Sequence, residues 1–188
     1  MLRQDAYPAL LLNADCRPMS IEPLSTLPWQ DVVRVVVADR CLVLAEYDYE
    51  VRSPSFSMRL PSVIACRDYI DPNRPAPLTR LNVLLVAGYR CGYCNECFDR
   101  PEGLTFDHLL PQARGGVTRW ENIIAACDAC NQRKGCRTPA EARMRPHWTP
   151  WHPTIAQVNR LAEKYARRVG EVHATWIDFL YWDSDVSN

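Results

Sequence analysis

Apolar positions along the chain fall into short runs separated by turn formers, and their spacing predicts a mixture of strands and helices. Ala9-Leu-Leu-Leu-Asn13 is an apolar run closed by a polar residue, as a buried strand would be. Asp15–Ser20 supplies turn residues, with Pro18 interrupting the strand. Thr26, with Pro28 close behind and Trp29, Val32, Val33 and Val36 at helical spacing, predicts a capped helix of about three turns. Cys41–Ala45 reads as a strand, Tyr47-Asp-Tyr49 as the turn into Glu50–Ser53, and the alternation Phe56, Met58, Leu60 as a further strand followed by Val63–Cys66.

Asp71–Pro77 then holds three prolines in seven residues, each removing a backbone donor, and reads as a linker. Leu81–Val86 re-enters order as a short apolar element. Leu104–Pro111 alternates and ends in proline, as a strand leading into a loop. Gln112–Trp120, with Gly115-Gly116, is that loop, and Asn122–Ala126 is a second short strand running into a short helix. Downstream, Thr138–Met144 predicts a capped helical turn or two. Pro146, Pro150 and Pro153 interleave with Trp148 and Trp151 in an extended segment. Thr154–Val169 is helical in spacing, and Thr175–Trp182 adds aromatics of core type. The fold class expected is α+β: a small N-terminal mixed α/β unit over residues 1–70, a linker over 71–77, a ββα core over 78–146, and a C-terminal helical extension over 147–188.

At 188 residues and 47% hydrophobic, the chain can form one ordinary core or two small modules. No stretch approaches the roughly 18–20 consecutive apolar residues of a membrane helix, so no membrane association is expected. The start, Met1-Leu-Arg-Gln-Asp, lacks a basic region followed by an apolar run and predicts no secretory signal, which makes the cytoplasm the expected compartment. Formal net charge is zero, but the average hides a gradient. Between Pro111 and His147 stand Arg114, Arg119, Arg133, Lys134, Arg137, Arg143 and Arg145 against Glu121, Asp128 and Glu141. From Glu171 onward there are acids and no Lys or Arg.

Nine cysteines in a chain without export features argue for thiols and metal binding rather than a disulfide framework. Cys16, Cys41 and Cys66 stand singly among apolar residues and read as small buried hydrophobes. Cys91/Cys94 and Cys127/Cys130 form two Cys-x-x-Cys pairs, which suit a closed tetrahedral zinc site with a structural role. Cys97 leaves Cys94/Cys97 as an alternative first knuckle, although Gly92 favours Cys91/Cys94 by permitting a tight turn; Cys136 is a more distant spare.

The two pairs bracket Asp107-His108, Gly115-Gly116, Trp120-Glu-Asn122 and Asn131-Gln-Arg-Lys134 on a strand, loop, strand, helix frame. In this order the residues resemble the HNH endonuclease family, the ββα-metal or His-Me finger nucleases, in the variant whose last histidine is asparagine and whose core is braced by four cysteines. The match covers about residues 88–144, and the Tyr7–Asn13 and Arg52–Phe56 stretches also look like the leader of some bacterial HNH proteins. The resemblance implies that His108 is the general base, that Asp107 and Asn131 hold one Mg²⁺ or Mn²⁺ ion, and that Asn122 holds the loop orienting His108. The chemistry asks for the same types, since neutral imidazole accepts a proton near pH 7 and carboxylate and amide oxygens suit a hard cation.

Lys134, Arg133 and Arg114 are candidate phosphate contacts. The sequence departs from the pattern at Val86-Ala87, where related proteins often carry Arg-Asp before the first knuckle. The function implied is metal-dependent hydrolysis of double-stranded DNA. A zinc-braced DNA-binding module without catalysis, or a packaging or scaffold component, are the competing readings.

Overall fold

A computed structural model describes residues 6–21, 23–99, 101–165 and 173–180. They divide into two compact units, one within Met1–Pro72 and Ala166–Asn188, the other Asn73–Tyr165. The boundary falls at residue 72, inside the 71–77 stretch, and residues 147–165 lie with the second unit.

In the first unit, β1 (Ala9–Leu12), β2 (Thr26–Leu27), β3 (Cys41–Ser53) and β4 (Phe56–Cys66) form a sheet in the order β2-β1-β4-β3. β1 runs parallel to β4, and β3 and β4 pair as an antiparallel hairpin. Tyr47–Tyr49 is not a turn. β3 continues through it, with register shifts between Val43 and Glu50 absorbing the irregularity. The helix α1 (Trp29–Val37) begins after Pro28, and Thr26, expected as its cap, instead pairs with Leu10 in the sheet. Val32 packs with Ala9, Cys41 and Ile64, while Leu10, Leu12, Val63, Ala65 and Trp176 form a second cluster. Each large aliphatic side chain so buried contributes roughly 1.5–3 kcal/mol. Trp176, whose Nε1 donates to Ser62 O at 2.8 Å, sits beside α5 (Ile177–Leu180) as the core aromatic its composition predicts; Tyr181 and Trp182 lie outside the described residues. Cys41 is buried and Cys66 partly so, but Cys16 is exposed in a turn with φ 62°, so its reading as a buried hydrophobe is corrected.

In the second unit, α2 (Arg80–Val86) is capped by Thr79, whose side chain accepts from Asn82 N, and it buries Val83, Leu84 and Leu85. It packs on α4 (Ile155–Tyr165) and on β6 (Ile123–Cys127), which pairs antiparallel with β5 (Leu104–His108). α3 (Asp128–Lys134) follows β6 without a loop. The proline-rich stretch is pinned rather than free: Ala76 N donates to Pro153 O at 2.9 Å, and Ala76 O accepts from the buried Trp120 Nε1 at 3.0 Å. Thr138–Met144 forms turns, not a helix. Its reciprocal Thr138/Glu141 hydrogen bonds have the form of a capping box, with no helix continuing beyond.

Candidate functional site

The first cysteine pair is shaped by its own backbone. Cys91 N donates to Glu96 O and Asn95 N to Cys91 O, both at 2.9 Å, with Asn95 at φ 60°. Positive φ thus falls on Asn95. Gly92 serves a different need: a Cβ there would lie 2.2 Å from Ile124 Cδ1 and 3.2 Å from Ala125 O. Its absence lets Gly92 N donate to Ala125 O at 2.7 Å, which draws the first knuckle against β6. The second pair lies where β6 ends in Cys127 and α3 begins, so the Gly92–Ala125 backbone hydrogen bond brings the two knuckles together.

Sulfur atoms of Cys91, Cys94, Cys127 and Cys130 all lie within 4.8 Å of one another, and Cys94 Sγ and Cys127 Sγ are 3.9 Å apart. A tetrahedral zinc bound at ~2.3 Å spaces its sulfurs by about 3.8 Å, so the four thiols fit a structural zinc site. Cys97 and Cys136 are exposed and outside this cluster, which answers the choice of first knuckle in favour of Cys91/Cys94. Burial raises the Cys91 thiol, but backbone N–H donors of Cys94, Cys127 and Tyr93 outweigh it and bring it down to about 7. Burial pushes Cys94 and Cys130 up. A cation is what lets all four become thiolates together.

Asp107 and His108 are consecutive on β5 and therefore project to opposite faces. Asp107 points inward and is 5% exposed. Its Oδ1 accepts from Lys134 Nζ at 2.8 Å and its Oδ2 from Tyr93 Oη at 2.5 Å. Burial, then the Asp107 hydrogen bond, pushes the Tyr93 phenol well above its ordinary value, so it remains a donor. Lys134 is 1% exposed. Its expected role as a phosphate contact is therefore corrected: the ammonium is spent inside the unit on Asp107, where leaving either partner uncompensated would cost several kcal/mol. Asn131, half-buried, precedes Lys134 by one helical turn, which places it on the same side of α3.

His108 is half-buried on the other face, with Nε2 2.9 Å from Thr118 Oγ1, which also accepts from Gln112 Nε2 at 3.2 Å. The loop carrying Thr118 is closed by Asn122, 8% exposed. Its Oδ1 accepts from Leu110 N at 2.8 Å, and its Nδ2 donates to Leu110 O at 3.1 Å and Val117 O at 3.0 Å. One asparagine side chain thus ties both limbs of the loop together beside the end of β5. Gly116 lies so close to Leu110 that a Cβ would come 1.7 Å from Leu110 O.

Residues 91–147 match the model for the HNH endonuclease domain. The chain carries a domain of the HNH endonuclease family. Residues 9–74 match the HNH endonuclease-associated N-terminal domain, so the sheet of the first unit is a companion module of that family. No curated protein matches the chain. The HNH match spans both cysteine pairs and every residue from Asp107 to Lys134, so the hairpin, loop and helix described above are the HNH domain's own elements.

Two residues of this HNH site carry no mark in the sequence. Tyr93 lies between the knuckle cysteines and reaches Asp107 through folding alone. Thr118 reads as one more loop polar residue; only the pairing of β5 with β6 brings it to His108. Arg133 is exposed, and Arg114 is half-exposed and ion-paired with Glu141.

Proposed function

We propose that the protein is a divalent-metal-dependent endonuclease that hydrolyses phosphodiester bonds in double-stranded DNA and works in the cytoplasm. The observation that carries this reading is the half-exposed His108 imidazole held beside buried Asp107 at the end of β5, inside a segment matching the HNH endonuclease domain. His108 takes the proton of the attacking water at Nδ1. For that lone pair to be free, Nε2 must bear the ring hydrogen. Thr118 Oγ1, with two lone pairs, accepts it while also accepting from Gln112. Asn122 keeps the loop closed so that Thr118 and the imidazole stay in register.

Asp107 and Asn131 are the side chains that would hold a Mg²⁺ or Mn²⁺ ion, which when bound would stabilise charge on the scissile phosphate and leaving oxygen. The cysteine cluster would hold zinc and brace the fold. His108→Ala is expected to abolish nicking of plasmid DNA in Mg²⁺ or Mn²⁺ while zinc content is retained; equal activity would overturn the mechanism.

One observation favours a second reading. Both oxygens of Asp107 already have donors, and its ion pair with Lys134 would serve a DNA-binding domain that lacks a catalytic ion. Calorimetric titration of the zinc-loaded protein with Mn²⁺ separates the two: binding lost in Asn131→Ala supports the nuclease, and no binding with intact DNA affinity supports the module.

A further inference from the structure

A cleft of ≈ 630 Å³ opens between the first knuckle, α3 and the segment following the Thr138 turn, with Arg133, Arg143, Arg145 and His147 on its walls and no acidic side chain among its lining residues. Cys94 and Cys130 of the thiol cluster also line it, so the arginines stand at the mouth of that cluster. Five exposed arginines elsewhere in the described residues pair with carboxylates: Arg34 with Asp31, Arg52 with Glu50, Arg67 with Asp39, Arg114 with Glu141 and Arg119 with Glu121. The guanidinium groups of Arg133, Arg143 and Arg145 have no such partner among the described residues. In a chain whose formal charge sums to zero, this is a local excess of unpaired cations.

The backbone holds them there. Arg143 sits at φ 54° in a turn closed by Arg143 N to Ala140 O at 3.0 Å and Met144 N to Pro139 O at 2.8 Å. His147 N donates to Gly92 O at 2.8 Å, fastening the same segment to the knuckle. Arg133 stands on α3 between Asn131 and Lys134.

We propose that this cleft is a second contact surface for the phosphate backbone of nucleic acid, with Arg133, Arg143 and Arg145 as its cations. It rests on the nucleic-acid substrate proposed above and lengthens the footprint past the His108 face toward the zinc knuckles. Guanidinium groups suit the task because their fixed donor fork matches phosphate oxygens. A competing use exists for the same charges. Four thiolates around one zinc ion carry a net double negative charge, and the arginines could serve only to offset it.

The test is binding of a fluorescent duplex oligonucleotide to the zinc-loaded full chain, in the His108→Ala background without added divalent cation, as a function of KCl. Each phosphate neutralised contributes about 0.9 to the slope of log affinity against log salt. The Arg143→Gln/Arg145→Gln variant is expected to lower that slope by about 1.8 and to weaken low-salt binding at least tenfold. Arg143→Lys/Arg145→Lys should retain most of the slope, and Arg34→Gln/Arg52→Gln, a charge change of equal size in the other unit, should leave it untouched. Zinc content measured on the same samples identifies an indirect effect. A slope unchanged in the Gln variant overturns the proposal, and a fall in zinc affinity alongside it assigns the arginines to the thiolates. If the parent protein neither binds nor cuts DNA, it is the underlying nuclease reading that fails; binding whose salt slope survives the double substitution removes the cleft alone.

Discussion

Tyr93 connects the two chemistries of the second unit. Its backbone belongs to the first cysteine knuckle, and its hydroxyl donates to the buried carboxylate of Asp107 at 2.5 Å, opposite the Lys134 ammonium. A hydrogen bond to a buried charged acceptor is worth about 1.5–3 kcal/mol. Tyr93→Phe keeps the ring and the knuckle but removes that donor, so it should cost about 2 kcal/mol in denaturant unfolding at pH 7 with zinc content unchanged. The pH dependence has a definite sign. The folded phenol titrates above its ordinary value of 10.0, so its stabilisation is complete below about pH 10 and fades as pH rises beyond that. The gap between parent and variant should therefore narrow above pH 10; a gap constant to higher pH would mean that the hydroxyl is not the cause.

Thr118 makes a kinetic prediction. Thr118→Val preserves shape and removes the hydroxyl that holds His108 Nε2, so the proposed DNA hydrolysis should fall about tenfold, the equivalent of one hydrogen bond of about 1.4 kcal/mol, with thermal stability nearly unchanged.

At the scale of elements, the loop between β5 and β6 is held by one asparagine and one close approach. Because an added Cβ at Gly116 would strike the Leu110 carbonyl, and that carbonyl accepts from Asn122, Gly116→Ala must displace the clasp that closes the loop. A cost of about 2 kcal/mol in thermal unfolding is expected, together with a larger loss of hydrolysis than Thr118→Val causes. A stable variant with full activity would show that the loop tolerates the shift.

Legibility also divides at this scale. The two strands, the glycine pair and the short helix were readable because each is local: alternation, turn formers and a Cys-x-x-Cys spacing lie within a few residues of one another. What escaped depends on partners distant in the chain. Tyr47–Tyr49 has turn-like composition, yet β3 runs through it as an irregularity, anchored to β4 on either side by the Glu46–Pro61 and Glu50–Arg59 pairs. Thr138–Met144 carries helix-start signals, but no apolar face follows to bury a helix. Lys134 looked like a surface cation at a helix end, and only the direction in which α3 leaves β6 turns it toward Asp107. Tyr93 and Thr118 were silent for the same reason.

Across the whole molecule, the two units are stabilised by different means. The first has two apolar clusters built on its sheet, with Leu10, Leu12, Val32, Val63 and Ile64 fully buried. The second has a two-stranded hairpin whose β6 is buried throughout, and a cluster of four cysteines joins its first knuckle to the end of that hairpin. A two-stranded ribbon is marginal by itself. Removing the metal should therefore loosen the second unit and leave the first largely intact, because the folding free energy of a zinc-braced segment includes the free energy of binding the ion.

Hydrogen exchange read by mass spectrometry would separate the two. After chelation, backbone amides of Leu104–His108 and Ile123–Cys127 are expected to lose protection while those of Leu10–Leu12 and Val63–Ala65 keep theirs. Zinc should restore the pattern, whereas Mg²⁺, which binds oxygen and not sulfur, should not. Equal loss of protection in both sheets would mean that the sheet of the first unit does not hold without the metal. Unchanged protection in both would mean that the thiols brace nothing and that the hairpin stands on its apolar contacts with α2.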